Sequence, residues 1–148
     1  MQKAETSILK EILCQAKKSI PKAEFCGFGV IVYSDLSHLP VFPLCHRSSE
    51  MDIGSLAERI AKVSSLSEPC HDGFQLVSQG WQLTHRNQYF APPIDLTISA
   101  DYLQTKDIGA RYLSALFGSK IRGVICIGIV SERDGLVIFQ DGKEVIFP

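Results

Sequence analysis

No stretch of this chain approaches the ~18 uninterrupted apolar residues that a membrane span requires. Its opening segment, MQKAETSILKEILCQAKK, lacks the apolar core and small-residue cleavage site of a secretory signal. Excess charge is missing as well. Lys+Arg number 15 against 16 Asp+Glu, a formal net charge of −1 at pH 7. Without a basic surplus the chain is not expected to bind a nucleic-acid backbone directly. No P-loop, GxGxxG or GxSxG occurs, which sets aside the commonest nucleotide-fold and hydrolase signatures. The five cysteines (Cys14, Cys26, Cys45, Cys70 and Cys126) contain no CxxC pair. Their odd count and wide spacing disfavour a disulfide framework and a structural zinc site. Cys45-His46 and Cys70-His71 could be drawn as a four-ligand cluster, but adjacent ligands are an unusual zinc spacing, and small buried cysteines are common. These absences lead to the expectation of a cytoplasmic protein that contacts neither membrane nor nucleic acid.

What remains is ordinary globular composition, 45% hydrophobic and 21% charged over 148 residues, enough for one domain with its own core. Ile8, Leu9, Ile12, Leu13 and Ala16 recur at helical spacing, with Thr6 or Ser7 as cap and Pro21 as terminator. Residues 27–33 (GFGVIVY) read as a buried strand, and a short strand is expected at 41–45. Ile53, Leu56, Ala57, Ile60, Ala61 and Val63 mark a second helix ending near Ser64 and Ser65. Residues 74–77 and 81–84 read as a hairpin around Ser78-Gln79-Gly80, with Trp81 on its second strand as core or interface. A polar loop then leads to Tyr89-Phe90. Residues 108–117 read as a helix with Gly118 as a left-handed cap. Residues 123–130 (GVICIGIV) read as a central strand covered on both faces, and 136–147 as a hairpin turning at Asp141-Gly142. The pattern predicts a single α/β domain over 1–148, a central mixed β-sheet flanked by helices.

Three polar constellations stand at the ends of these elements, where sites tend to lie. His71-Asp72-Gly73 enters a strand; Asp can take a hydroxyl proton or hold a cation, and Gly lets a ligand reach the backbone. Gly109-Ala110-Arg111 begins a helix, where free N–H groups and a guanidinium suit a phosphate. Ser131-Glu132-Arg133-Asp134-Gly135 closes the central strand and could hold a ribose or a metal. Taken singly, the first and last also read as plain turns, and Arg111 as the partner of an acid such as Asp107.

Their joint order resembles the diadenylate cyclase domain. That family carries a His-Asp-Gly-Ala segment entering a hairpin, an aromatic-Leu-Pro turn, a Gly-Thr-Arg-His-Arg helix start, an apolar strand, and Ser-Glu-Glu-Thr-Gly before a final hairpin. Here Ser67-Glu68-Pro69-Cys70-His71-Asp72-Gly73-Phe74 resembles the first motif and Tyr89-Phe90-Ala91-Pro92 the turn. Gly109-Ala110-Arg111-Tyr112-Leu113-Ser114-Ala115 resembles the helix start and Ser131-Glu132-Arg133-Asp134-Gly135 the last motif. The resemblance implies that two domains meet face to face, each holding one ATP, and that each 3′-hydroxyl attacks the other α-phosphate to give cyclic di-AMP and pyrophosphate. It implies Asp72 as the catalytic residue, with Gly73, Phe74, Tyr89, Phe90, Ala91, Gly109, Ala110, Arg111, Ser131 and Glu132 around the nucleotide. It further implies Mg²⁺ or Mn²⁺ held by His71, Asp72 and Glu132.

The departures bear on activity. Ala110, Tyr112 and Leu113 replace the family's Thr, His and second Arg, and Phe74 replaces its Ala. A charge-assisted contact to phosphate is typically worth ~1.5–3 kcal/mol, so two or three losses reach orders of magnitude in rate. Two functional expectations follow. The chain is either a divergent cyclase, its phosphate site rebuilt from Arg111, Arg133 or Lys106, or a weakened or inactive nucleotide-binding sensor of the same fold. A plain scaffold is the remainder.

Overall fold

Two apolar stripes on one strand set the architecture. Phe28–Tyr33 (β1) is buried along its whole length, so successive side chains feed opposite faces of the sheet and both faces need a cover. Val30 and Val32 point into one core layer and Ile31 and Tyr33 into the other. A computed structural model describes residues 2–45, 53–98 and 107–148 and supplies those covers. Gln2–Ser19 (α1) and Leu56–Ser64 (α2) lie over the Val30 face, where Leu9, Leu13, Ile60 and Ala61 are buried. Ala110–Gly118 (α3) lies over the other, with Tyr112, Ala115 and Leu116 buried. Each such fully buried large apolar side chain contributes about 1.5–3 kcal/mol relative to exposure.

Six further strands complete one seven-stranded sheet. They are Val41–Pro43 (β2), Phe74–Ser78 (β3), Leu83–Phe90 (β4), Val124–Ser131 (β5), Gly135–Gln140 (β6) and Lys143–Glu144 (β7). Their order is β2-β4-β3-β1-β5-β6-β7. Among the described pairings β1 with β3 is parallel, the chain crossing over through α2, and the rest are antiparallel. The fold is therefore a single α/β domain with a central mixed sheet flanked by helices. On β5, Gly128 lets α1 come close: a Cβ there would lie 2.4 Å from Leu13 Cδ1. The final hairpin turns through Asp141 (φ 51) and Gly142 (φ 76), both left-handed as a two-residue β-turn requires.

Several local expectations are corrected. Thr6 and Ser7 lie inside α1 rather than capping it, Thr6 being buried. Ile53 precedes α2 and is exposed, the cap being Ser55. Trp81 sits in the turn after β3 with φ 63 rather than on a strand. The polar run 85–88 is strand rather than loop, because β4 continues to Phe90. Gly118 is the last helical residue and Ser119 the right-handed cap. Gly118 is glycine because a Cβ would strike the Phe90 ring at 2.3 Å. The last strand ends at Glu144, although Val145 N still donates to Ile138 O on β6 (2.7 Å). Cys45 and Cys70, expected to be unpaired, form a disulfide. Cys126 is buried and Cys14 and Cys26 are exposed, so the small-hydrophobe reading holds for Cys126, whose thiol burial pushes up to about 12.

The start of α2 carries a testable stabilising device. Ser55 Oγ accepts from Glu58 N (3.2 Å), and Ser55 N donates to Glu58 Oε1 (2.9 Å), a reciprocal capping box. The hydrogen bond from the Ser55 backbone holds the Glu58 carboxyl below its ordinary value. A depressed folded pKa stabilises above the unfolded value, and the contribution is lost as pH falls through the folded one. Ser55→Ala is expected to cost about 1 kcal/mol in urea denaturation at neutral pH. Glu58→Gln is expected to destabilise at neutral pH, and that difference should vanish in acid; a difference that persists there would contradict the capping role.

Candidate functional site

The carboxyl end of β5, the turn before β3, the end of β4 and the start of α3 meet around one cavity of about 500 Å³. Gly109 is the N-cap of α3 and makes no side-chain cap hydrogen bond, so the first N–H groups of the helix lack the usual side-chain acceptor and suit an anion. Arg111, in the first turn, lines the cavity. Its guanidinium lies over Gly27: a Cβ on that glycine (φ +99) would be 2.9 Å from the Arg111 terminal nitrogen. Gly27 thus serves the site by leaving Arg111 room. Arg133 reaches in from the β5–β6 turn, its terminal nitrogen 3.4 Å from where a Gly109 Cβ would stand. Among the described residues neither guanidinium is paired with a carboxylate, and the Arg111–Asp107 pair that a plain helix turn would offer is not formed.

Asp72 and Gly73 line the same cavity. The turn that carries them is built from Glu68 N to Ser65 O, His71 N to Glu68 O and Gly73 N to Cys70 O, at 2.9, 3.2 and 3.3 Å. Gly73 is packed on the neighbouring strand, since a Cβ would lie 2.6 Å from the Asn87 carbonyl carbon. Beneath it, Gln75 Nε2 donates to Asn87 Oδ1 (2.7 Å) and Asn87 N donates to Gln75 Oε1 (3.0 Å), with both residues buried. This reciprocal pair locks β3 to β4 where their register shifts and so fixes the Asp72 turn. Tyr89 gives the cavity a half-exposed aromatic flank, opposite Phe42 on β2.

Of the residues singled out from sequence, Asp72, Gly73, Phe74, Tyr89 and Phe90 line this cavity, as do Gly109, Ala110, Arg111 and Ser131. His71, Ala91 and Glu132 do not. Ala91 N is bonded to Pro40 O (3.0 Å) at the sheet edge, and Glu132 is exposed on the outer side of its turn. In that turn Ser131 Oγ accepts from Asp134 N (3.0 Å), which presents Asp134, not Glu132, to the cavity. Leu44, Gln88 and Ile129 also line it and were not anticipated, and Ser114 and Asp134, read only as members of their motifs, line it too. Lys106 and His46 lie outside the described residues. Tyr112 also lines the cavity, but its ring is buried edge-on to Phe139 (4.8 Å between ring centres).

The donor set expected for a divalent cation does not assemble. His71 Nδ1 is 3.2 Å from Cys26 Sγ, Glu132 lies off the cavity, and among the described residues no three His, Cys, Asp or Glu side chains are grouped to hold a metal. Nor, among them, is any helix long and apolar enough to cross a membrane.

No family model and no curated protein sequence matches the chain. A solved structure does: a crystal structure of a double mutant of DacA from Staphylococcus aureus is 16% identical, with a TM-score of 0.51, and the match covers 98% of this chain and 88% of that one. At that identity the likeness is one of fold, and it extends over almost the whole chain.

Proposed function

We propose that residues 1–148 form a nucleotide-binding domain of the diadenylate cyclase fold, taking ATP or a related nucleotide and cyclising it weakly or not at all. One observation carries this reading: Arg111, Arg133 and the start of α3, which has no side-chain cap, converge with Asp72 and Gly73 on a single cavity. The positive groups suit a polyphosphate, and the Tyr89 flank and the β4 edge suit a base. Arg133 returns part of the positive charge that Tyr112 and Leu113 leave out. That no cation-holding cluster assembles among the described residues favours binding over cyclisation. Any Mg²⁺ or Mn²⁺ then arrives as part of the nucleotide complex, its remaining ligands being phosphate oxygens and water.

A second reading keeps Asp72 as the group that assists a 3′-hydroxyl, with two domains face to face, because that carboxylate lines the cavity. A single experiment separates the two. The protein is incubated at high concentration with ATP and Mg²⁺ or Mn²⁺, and both bound nucleotide and cyclic di-AMP are measured. Saturable ATP binding without product is the expected result. Product that disappears in Asp72→Asn would establish the cyclase instead, and absence of nucleotide binding under every condition would defeat both.

A further inference from the structure

We infer that the Cys45–Cys70 disulfide is a redox clasp on this cavity, pinning the Asp72 turn to the chain that follows β2 when oxidised and loosening nucleotide binding when a dithiol reductant opens it. The inference rests on the nucleotide reading above and adds its regulation. Cys45 follows Leu44, which lines the cavity and is tied to β4 through Leu44 N to Asn87 O (3.0 Å). Cys70 precedes His71-Asp72-Gly73, of which Asp72 and Gly73 line the cavity, and Gly73 packs on the Asn87 backbone from the other side of β4. The two cysteines are 25 residues apart in sequence, so their bond is a covalent tie across β4 between the chain after β2 and the turn before β3.

The surroundings fit a reversible bond better than a permanent staple. Cys14 and Cys26 are exposed free thiols in the same chain. A protein that carries one disulfide beside unpaired exposed thiols differs from the fully paired scaffolds of oxidising compartments, and in compartments that keep thiols reduced such bonds are usually transient, catalytic or redox-sensing. Cys70 is only half-buried, so a reductant can reach it. Opening is a balanced exchange. One thiolate of the reductant attacks a sulfur of the bond, its second thiol displaces the mixed disulfide, and two electrons pass. Cys45 and Cys70 each take a proton, and the reductant leaves as its own disulfide.

The turn does not lose all support when the bond opens. Cys26 Sγ lies 3.2 Å from His71 Nδ1, and backbone hydrogen bonds link residues 65 to 73, contacts made without either sulfur of the bond. Reduction should therefore weaken the site in a graded way rather than unfold it. The coupling is expected to be on the order of tenfold in nucleotide affinity, within the range usual for two linked sites.

The test compares oxidised and dithiothreitol-reduced wild-type protein with Cys45→Ser, which cannot close the bond. Three readouts are taken: peptide mapping of the disulfide, ATP affinity by calorimetry, and amide hydrogen exchange over residues 65–73. The clasp predicts a mapped Cys45–Cys70 bond and tighter ATP binding in the oxidised wild type. It predicts that Cys45→Ser matches the reduced wild type whatever the redox conditions. Equal affinity with the bond open and closed overturns it, as does zinc copurifying stoichiometrically with the reduced thiols. If ATP binds neither form, the nucleotide reading fails on its own. Hydrogen exchange then judges the clasp: faster exchange at 65–73 on reduction supports it, and no change refutes it.

Discussion

Arg111→Ala is expected to weaken ATP binding by about ten- to a hundredfold, since a charge-assisted contact to phosphate is worth roughly 1.5–3 kcal/mol and each 1.4 kcal/mol is tenfold. The melting temperature should barely move, because the guanidinium is unpaired among the described residues and packs over the Cα of Gly27 rather than in the core. Adenosine provides the control. It has a base and ribose but no phosphate, so its affinity should be unchanged by the substitution. Arg133→Ala should act in the same direction but less strongly, since Arg133 is exposed where Arg111 is half-buried, and solvent screens an exposed contact. Calorimetric titration of both ligands against both variants decides the matter. An equal loss for ATP and adenosine would mean that Arg111 shapes the pocket without touching phosphate. No loss for either would remove the phosphate site from this end of α3.

The parts of the fold that were legible share a physical property: their pattern and their burial agree. β1 and β5 are almost wholly apolar because both faces are covered, and α1 repeats Leu9, Leu13 and Ala16 at helical spacing because one face is buried. Where tertiary contacts decide the outcome, the local pattern points elsewhere. The polar run ending β4 resembles a loop, yet Asn87 and Gln88 are buried, and Gln75 satisfies Asn87 from the neighbouring strand. Periodicity reads polarity as exposure and has no access to a partner twelve residues away. Gly118 has the position of a helix cap, but its requirement comes from the Phe90 ring, on a different element. The disulfide is of the same kind, since only the folded chain brings Cys45 to Cys70. The site motifs were legible as groups because they end strands and begin helices. Which member of Ser131-Glu132-Arg133-Asp134 faces the cavity was not, because the Ser131–Asp134 hydrogen bond sets it.

Gly73→Ala is expected to damage stability and site together. The added Cβ would stand 2.6 Å from the Asn87 carbonyl carbon, 2.8 Å from its Cα and 2.8 Å from Gln88 N. All three are backbone atoms of a paired strand, so no side-chain rotation can relieve the contact, and β3 must move away from β4. Forced overpacking of this kind costs about 1–3 kcal/mol. The movement also strains the two Gln75–Asn87 hydrogen bonds, both between buried groups whose loss would be uncompensated. The same shift carries Asp72 out of line with Arg111, so ATP affinity should fall with stability. Gly80→Ala, in the turn between the same two strands, is the matched control. Its Cβ would meet only Ser78 Oγ, at 3.8 Å, and should be nearly neutral. Urea denaturation and ATP titration of the two variants give the answer. A Gly73→Ala protein as stable as Gly80→Ala, with wild-type affinity, would show that the close approach of Gly73 to β4 holds neither the sheet nor the candidate site in place.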